Sequence, residues 1–114
     1  MKLDHVALTV ADREASATFY GTYFGLDTRV HDDEHLLILS NEHGDLLALS
    51  NGSKDFELPR TNHFGFRVAD ADTVYRLRRQ FEESGVTETE FSESGPARVQ
   101  VLDPDGYRVE VYAF

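Results

Sequence analysis

The segment His5-Val-Ala-Leu-Thr-Val-Ala-Asp12 returns 58 residues later as His63-Phe-Gly-Phe-Arg-Val-Ala-Asp70, with His, Val, Ala and Asp at matching places. A repeat of this length means one supersecondary unit used twice, which restricts the available folds more than any other feature of the chain. Each copy alternates apolar and polar residues like a strand, meets an Asp suited to cap a helix, and continues with apolar residues at helical spacing. The spacing predicts a helix from about Asp12 to Phe24, with Ala15, Phe19 and Tyr23 on its apolar stripe. A second is predicted from about Asp72 to Ser84, with Val74, Leu77 and Phe81. Gly25 and Gly85 follow, where a left-handed helix end favours glycine.

Three short apolar or alternating runs follow each helix and read as strands. They are roughly residues 27–31, 35–40 and 45–50 in the first half, and 87–92, 97–102 and 107–113 in the second. Both halves are therefore strand, helix, strand, strand, strand: an α+β chain of two tandem βαβββ modules. Module one is expected over 1–51, a polar connector over 52–60, and module two over 61–114. About 50 residues bury too little surface to stand alone, so the modules are expected to form one domain, 1–114, or to exchange partners in a homodimer.

Charge narrows the partners. The chain has 21 acidic and 11 basic residues, a formal charge of −10, and its lysines are Lys2 and Lys54. Such a surface repels nucleic acid and anionic lipid, so neither is an expected partner. The acid excess points to a halophilic source; melts of equal stability in low and multimolar potassium chloride would count against that. No run approaches the roughly 18 apolar residues of a membrane span. With no cysteine and no signal-like start, a cytoplasmic location is expected and cysteine chemistry is excluded.

Alternation also sorts the polar residues. If Val6, Leu8 and Val10 face the helix, His5, Ala7 and Thr9 face the other way. By the same rule His63, Gly65 and Arg67 share that side, as do Arg108, Glu110 and Tyr112. Two neutral imidazoles and a carboxylate suit a divalent first-row metal, and three ligands leave positions open for water or substrate. Arg67, Arg98, Gln100, Arg108 and Tyr112 fall on or near the same side, and the arginine forks suit an anionic or polyoxygenated small molecule. The plainer alternatives are that Arg67 and Arg108 pair with neighbouring acids and that Tyr112 forms the rim. His31, His35 and His43 are expected to be solvated loop residues.

The start His5–Asp12, the helix carrying Phe19-Tyr20 and ending Phe24-Gly25-Leu26, and Leu102-Asp-Pro-Asp-Gly-Tyr-Arg-Val-Glu110-Val-Tyr112 resemble the vicinal oxygen chelate superfamily. That group holds glyoxalase I, extradiol dioxygenases, fosfomycin-modifying thiol transferases and bleomycin-binding proteins. The resemblance implies paired modules forming a curled mixed sheet with an open cleft, commonly in dimers. It also implies metal ligands at His5, His63 and Glu110. Setting residues 44–48 on 106–110 places Ala48 where glyoxalase I has a fourth ligand, so the set is closest to that of the fosfomycin thiol transferases. Those enzymes carry Thr and Tyr where this chain has Ala7 and Gln100.

The function implied is a small metal-dependent lyase, isomerase or transferase. It would chelate an oxygenated substrate through adjacent oxygens on one Mn, Zn, Ni or Fe ion, with Glu110 as the catalytic carboxylate. A metal-free drug or metabolite binder and a ring-cleaving dioxygenase are the alternatives.

Overall fold

Two aspartates start the helices in the same way. The Asp12 carboxylate accepts from the backbone N–H of Glu14 and Ala15, and the Asp70 carboxylate accepts from the N–H and hydroxyl of Thr73. Each satisfies donors that a first helical turn leaves open. The endings also agree. Gly25 and Gly85 take φ of 71° and 74°, and the next residues, Leu26 and Val86, return their N–H to Tyr20 and Phe81.

The computed structural model describes residues 1–53 and 57–114; residues 54–56, within the expected connector, lie outside the described residues. The chain divides into two compact units, Met1–Glu57 and Leu58–Phe114. The first contains β1 (His5–Val10), α1 (Arg13–Phe24), β2 (Thr28–Asp32), β3 (Leu36–Ser40) and β4 (Leu46–Asn51). The second contains β5 (Phe64–Arg67), α2 (Ala71–Glu83), β6 (Glu88–Ser92), β7 (Ala97–Leu102) and β8 (Arg108–Ala113). Their sheets run β1-β4-β3-β2 and β5-β8-β7-β6, each with one parallel pair at the β1–β4 or β5–β8 seam and antiparallel pairs elsewhere. The α+β class and the tandem βαβββ modules read from the sequence are what the structure shows. No helix among the described residues is long and apolar enough to cross a membrane.

Alternation holds on both sheets. Leu8, Val10, Leu37, Leu39, Leu47 and Leu49 are buried in the first unit, as are Val99, Val101, Val109, Val111 and Ala113 in the second. The residues between them form the outer face, turned away from the helix. One expectation needs correction, because Ala15 is exposed on α1 and the buried residues are Ser16, Phe19 and Tyr20. Turning Tyr20 inward beside Phe19, ring centroids 5.1 Å apart, removes more apolar surface from water than Ala15 could.

Matching turns set the phase of the last strand in each unit. Asp103 Oδ1 accepts from the N–H of Asp105 and Tyr107, each at 2.9 Å, and launches β8. Asn41 Oδ1 does the same for His43 and Asp45 at 3.0 Å, and launches β4. The side-chain oxygen mimics a backbone acceptor, which is why Asn and Asp are interchangeable there. Matching register shifts also occur, between Arg29 and His31 and between Glu88 and Glu90.

Candidate functional site

The register of β8 places the expected carboxylate at the centre of the second unit's outer face. Glu110 lies opposite Gly65 on β5 and Gln100 on β7, with its side chain 14% exposed. A Cβ at position 65 would stand 3.1 Å from both the Cβ and the backbone oxygen of Glu110, so glycine is what lets the carboxylate lie against β5. That role of Gly65 was readable only from pairing, not from alternation.

His63 immediately precedes β5 and directs Nε2 to 3.7 Å from Glu110 Oε2. This is too long for a hydrogen bond and a little wider than the roughly 3.4 Å that separates two ligands of one tetrahedral ion at bonds of about 2.1 Å. The other ring nitrogen is occupied: Nδ1 lies 2.8 Å from the carbonyl oxygen of Thr61. A carbonyl only accepts, so Nδ1 carries the proton and Nε2 keeps its lone pair outward. His5 is arranged alike, with Nδ1 2.7 Å from Asp4 Oδ1. The His5 hydrogen bond holds the Asp4 carboxyl below its ordinary range, so the oxygen facing the ring is ionised and accepting. Fixing Nδ1 on an oxygen is the support metal-ligating histidines ordinarily have. Asp4 and Thr61 escaped the sequence reading because one is a neighbour in chain and the other acts through its backbone.

The donor chemistry of His63 and Glu110 thus fits a divalent ion, and the second unit brings those two together. His5 belongs to the first unit. Among the described residues, no group of three or more His, Asp, Glu or Cys side chains gathers at one point.

The remaining expected residues divide. Arg98 lies on the outer face between Glu90 and Glu110, with Nη2 2.5 Å from Glu90 Oε1 and Nη1 3.4 Å from Glu110 Oε2. This contact holds the Glu90 carboxyl below, and the Arg98 guanidinium above, their ordinary ranges. Gln100 is 4% exposed and its Oε1 accepts from the Thr89 hydroxyl at 3.0 Å. Arg67 sits over the Phe114 ring at 5.0 Å, and Tyr112 meets that ring edge-on at 5.7 Å. Arg108 has a buried Nε with no hydrogen-bond partner among the described residues. Position 48 matches expectation: Ala7 pairs with Ala48 as Gly65 pairs with Glu110.

A tandem βαβββ chain with a glutamate on one strand and a histidine just before the neighbouring strand of the same sheet defines a class that comparison with known proteins makes definite. Residues 2–111 match the family model described as the Glyoxalase/Bleomycin resistance protein/Dioxygenase superfamily, and the chain belongs to that family. It is 30% identical to the glutathione transferase FosA of Serratia marcescens, over 96% of this chain and 79% of that protein. A possible glyoxalase from Bacillus cereus superposes with a TM-score of 0.85 at 28% identity, covering 98% of each chain. A point mutant of the fosfomycin resistance protein FosX of Listeria monocytogenes, solved with Mn(II) and 1S,2S-dihydroxypropylphosphonic acid, shares the fold at 16% identity and a TM-score of 0.83. That alignment covers 97% of this chain and 88% of FosX.

Proposed function

We propose that this chain is a metal-dependent enzyme of the glyoxalase-like kind that acts on an anionic, oxygenated small molecule, with His5, His63 and Glu110 as metal ligands. The observation that carries the reading is the His63–Glu110 pair, 3.7 Å apart with the imidazole tautomer fixed by Thr61. The matched family supports it, as does a relative solved with Mn(II). Residues 1–114 act as one domain, and the working form is a homodimer.

A bound divalent ion would supply Lewis acidity to adjacent substrate oxygens. The chain's own residues do the rest. Thr61 and Asp4 hold the two rings with Nε2 available. Glu110 would help hold the ion and is the residue we assign to move a proton at a substrate carbon. Arg67, Arg98 and Arg108 offer forked donors to an anionic group, while Gln100 and Tyr112 border the substrate. Ala48, Leu46 and Ile38 leave the first unit's outer face apolar, suited to a hydrocarbon portion.

Elemental analysis of untagged protein prepared with manganese, zinc, nickel and iron present tests this. One equivalent of metal in the wild type and none in Glu110→Ala is the expected result. A folded wild type that retains no metal would overturn the enzyme reading and leave metal-free ligand binding.

A further inference from the structure

Glu110 Oε2 has two suitors: His63 Nε2 at 3.7 Å and Arg98 Nη1 at 3.4 Å. Arg98 reaches it from β7 while its other terminal nitrogen grips Glu90 at 2.5 Å. The guanidinium is thus shared unequally between two acids, with the shorter contact to Glu90. Arginine stays charged at any working pH and cannot leave the carboxylate by losing a proton. A dication held by Glu110 would meet that fixed positive charge on the same oxygen.

Glu90 is on this face by plain alternation: Glu90, Phe91 and Ser92 pair in turn with Gln100, Val99 and Arg98, so Glu90 joins the outer-face row beside Arg98. The register shift falls just before it, between Glu88 and Glu90, with Thr89 the extra residue. Thr89 is anchored there by hydroxyl contacts to the backbone oxygen and side-chain oxygen of Gln100.

Resting on the metal-site reading above, we propose that Arg98 competes with the metal for Glu110, and that Glu90 weakens the competition by holding the guanidinium back. The two members of this ion pair therefore act on metal affinity with opposite signs. A pair that merely braces the sheet would act with one sign.

The test titrates the full chain with Mn2+ and follows the paramagnetic resonance signal of the free ion, with circular dichroism confirming that each variant is folded. Arg98→Gln should tighten Mn2+ by about tenfold and Glu90→Gln should loosen it by about tenfold, as expected for one charge-assisted contact. The double variant should match Arg98→Gln, because Glu90 acts only through Arg98. Arg29→Gln, whose guanidinium pairs with Glu14 and Asp32 in the first unit, should stay within about twofold. Looser binding in Arg98→Gln overturns the proposal. So does a loosening by Glu90→Gln that persists in the Arg98→Gln background, which would mean that Glu90 attracts the ion itself. A folded wild type that binds no Mn2+ refutes the metal reading and this proposal together. Wild-type binding that is lost in His63→Ala but unchanged in Arg98→Gln refutes the competition alone.

Discussion

The two modules share a scaffold down to the turn that launches the last strand, yet their outer faces differ completely. Module one presents Leu36, Ile38, Leu46, Ala48 and Ser50; module two presents Arg98, Gln100, Arg108, Glu110 and Tyr112 at the corresponding ladders. Their inner faces are nearly interchangeable rows of Leu and Val. A repeated fold therefore keeps its core because both copies must pack a helix on a sheet, while the solvent-facing row is free to specialise. Here the charge has collected on one copy.

The largest effects should be common to both modules. Leu49→Ala in the first should cost about 2–5 kcal/mol and Phe81→Ala in the second about 3–5 kcal/mol, since both side chains are buried. Denaturant unfolding would measure this, and a loss confined to one variant would show that the inner faces are not equivalent. Next comes the asymmetry: Glu110→Ala should loosen metal by about 100-fold or more, whereas Ala48→Ser should leave affinity unchanged. A metal titration in which both variants weaken alike would erase the contrast. A smaller difference is expected at the parallel seams. Gly65→Ala crowds Glu110 and should loosen metal by about tenfold, while Ala7→Gly, opposite Ala48, should not.

The smallest effect concerns the β2–β3 and β6–β7 turns. Asp33 accepts from the N–H of His35 and Leu36 and from His31, which holds its carboxyl at about 2 against an ordinary 3.8. A depressed carboxyl stabilises fully above its unfolded value and loses that contribution as pH falls toward about 2. Asp33→Asn should therefore lower the melting temperature slightly at neutral pH, and the gap from wild type should close near pH 2. The second unit's turn uses the Ser92 hydroxyl to accept from the Ser94 N–H, so Ser92→Ala should shift melting equally at both pH values.

Much of this was legible in the sequence. Alternation identified the outer-face rows because strand geometry has period two whatever packs on it, and setting residues 44–48 on 106–110 matched Ala48 to Glu110. The strand bounds differ from expectation by about a residue, as at β8, where the Asp103 turn engages Tyr107 and the strand begins at Arg108. What escaped depended on contacts rather than on period. The rotation of α1 was set by Tyr20 finding the core, and no helical count distinguishes that from the Ala15 stripe. The tautomer-fixing roles of Asp4 and Thr61, and the sharing of Arg98 between Glu90 and Glu110, arise from side-chain reach across strands. Glu90 is the sharpest case: alternation puts it on the outer face, but only the pairing of β6 with β7 sets it beside Arg98.

That last point bears on how such a chain can change over time. Ser92 pairs with Arg98 across the turn of residues 93–96, and Glu90 takes its place opposite Gln100 from that pairing. Losing or gaining a single residue in that turn would send Glu90 to the other side of the sheet and leave Arg98 to Glu110 alone. Substitutions in the turn would be absorbed far more easily than a change of its length. Among descendants of this chain, the spacing between Glu90 and Arg98 should be held more tightly than the identity of most residues within it.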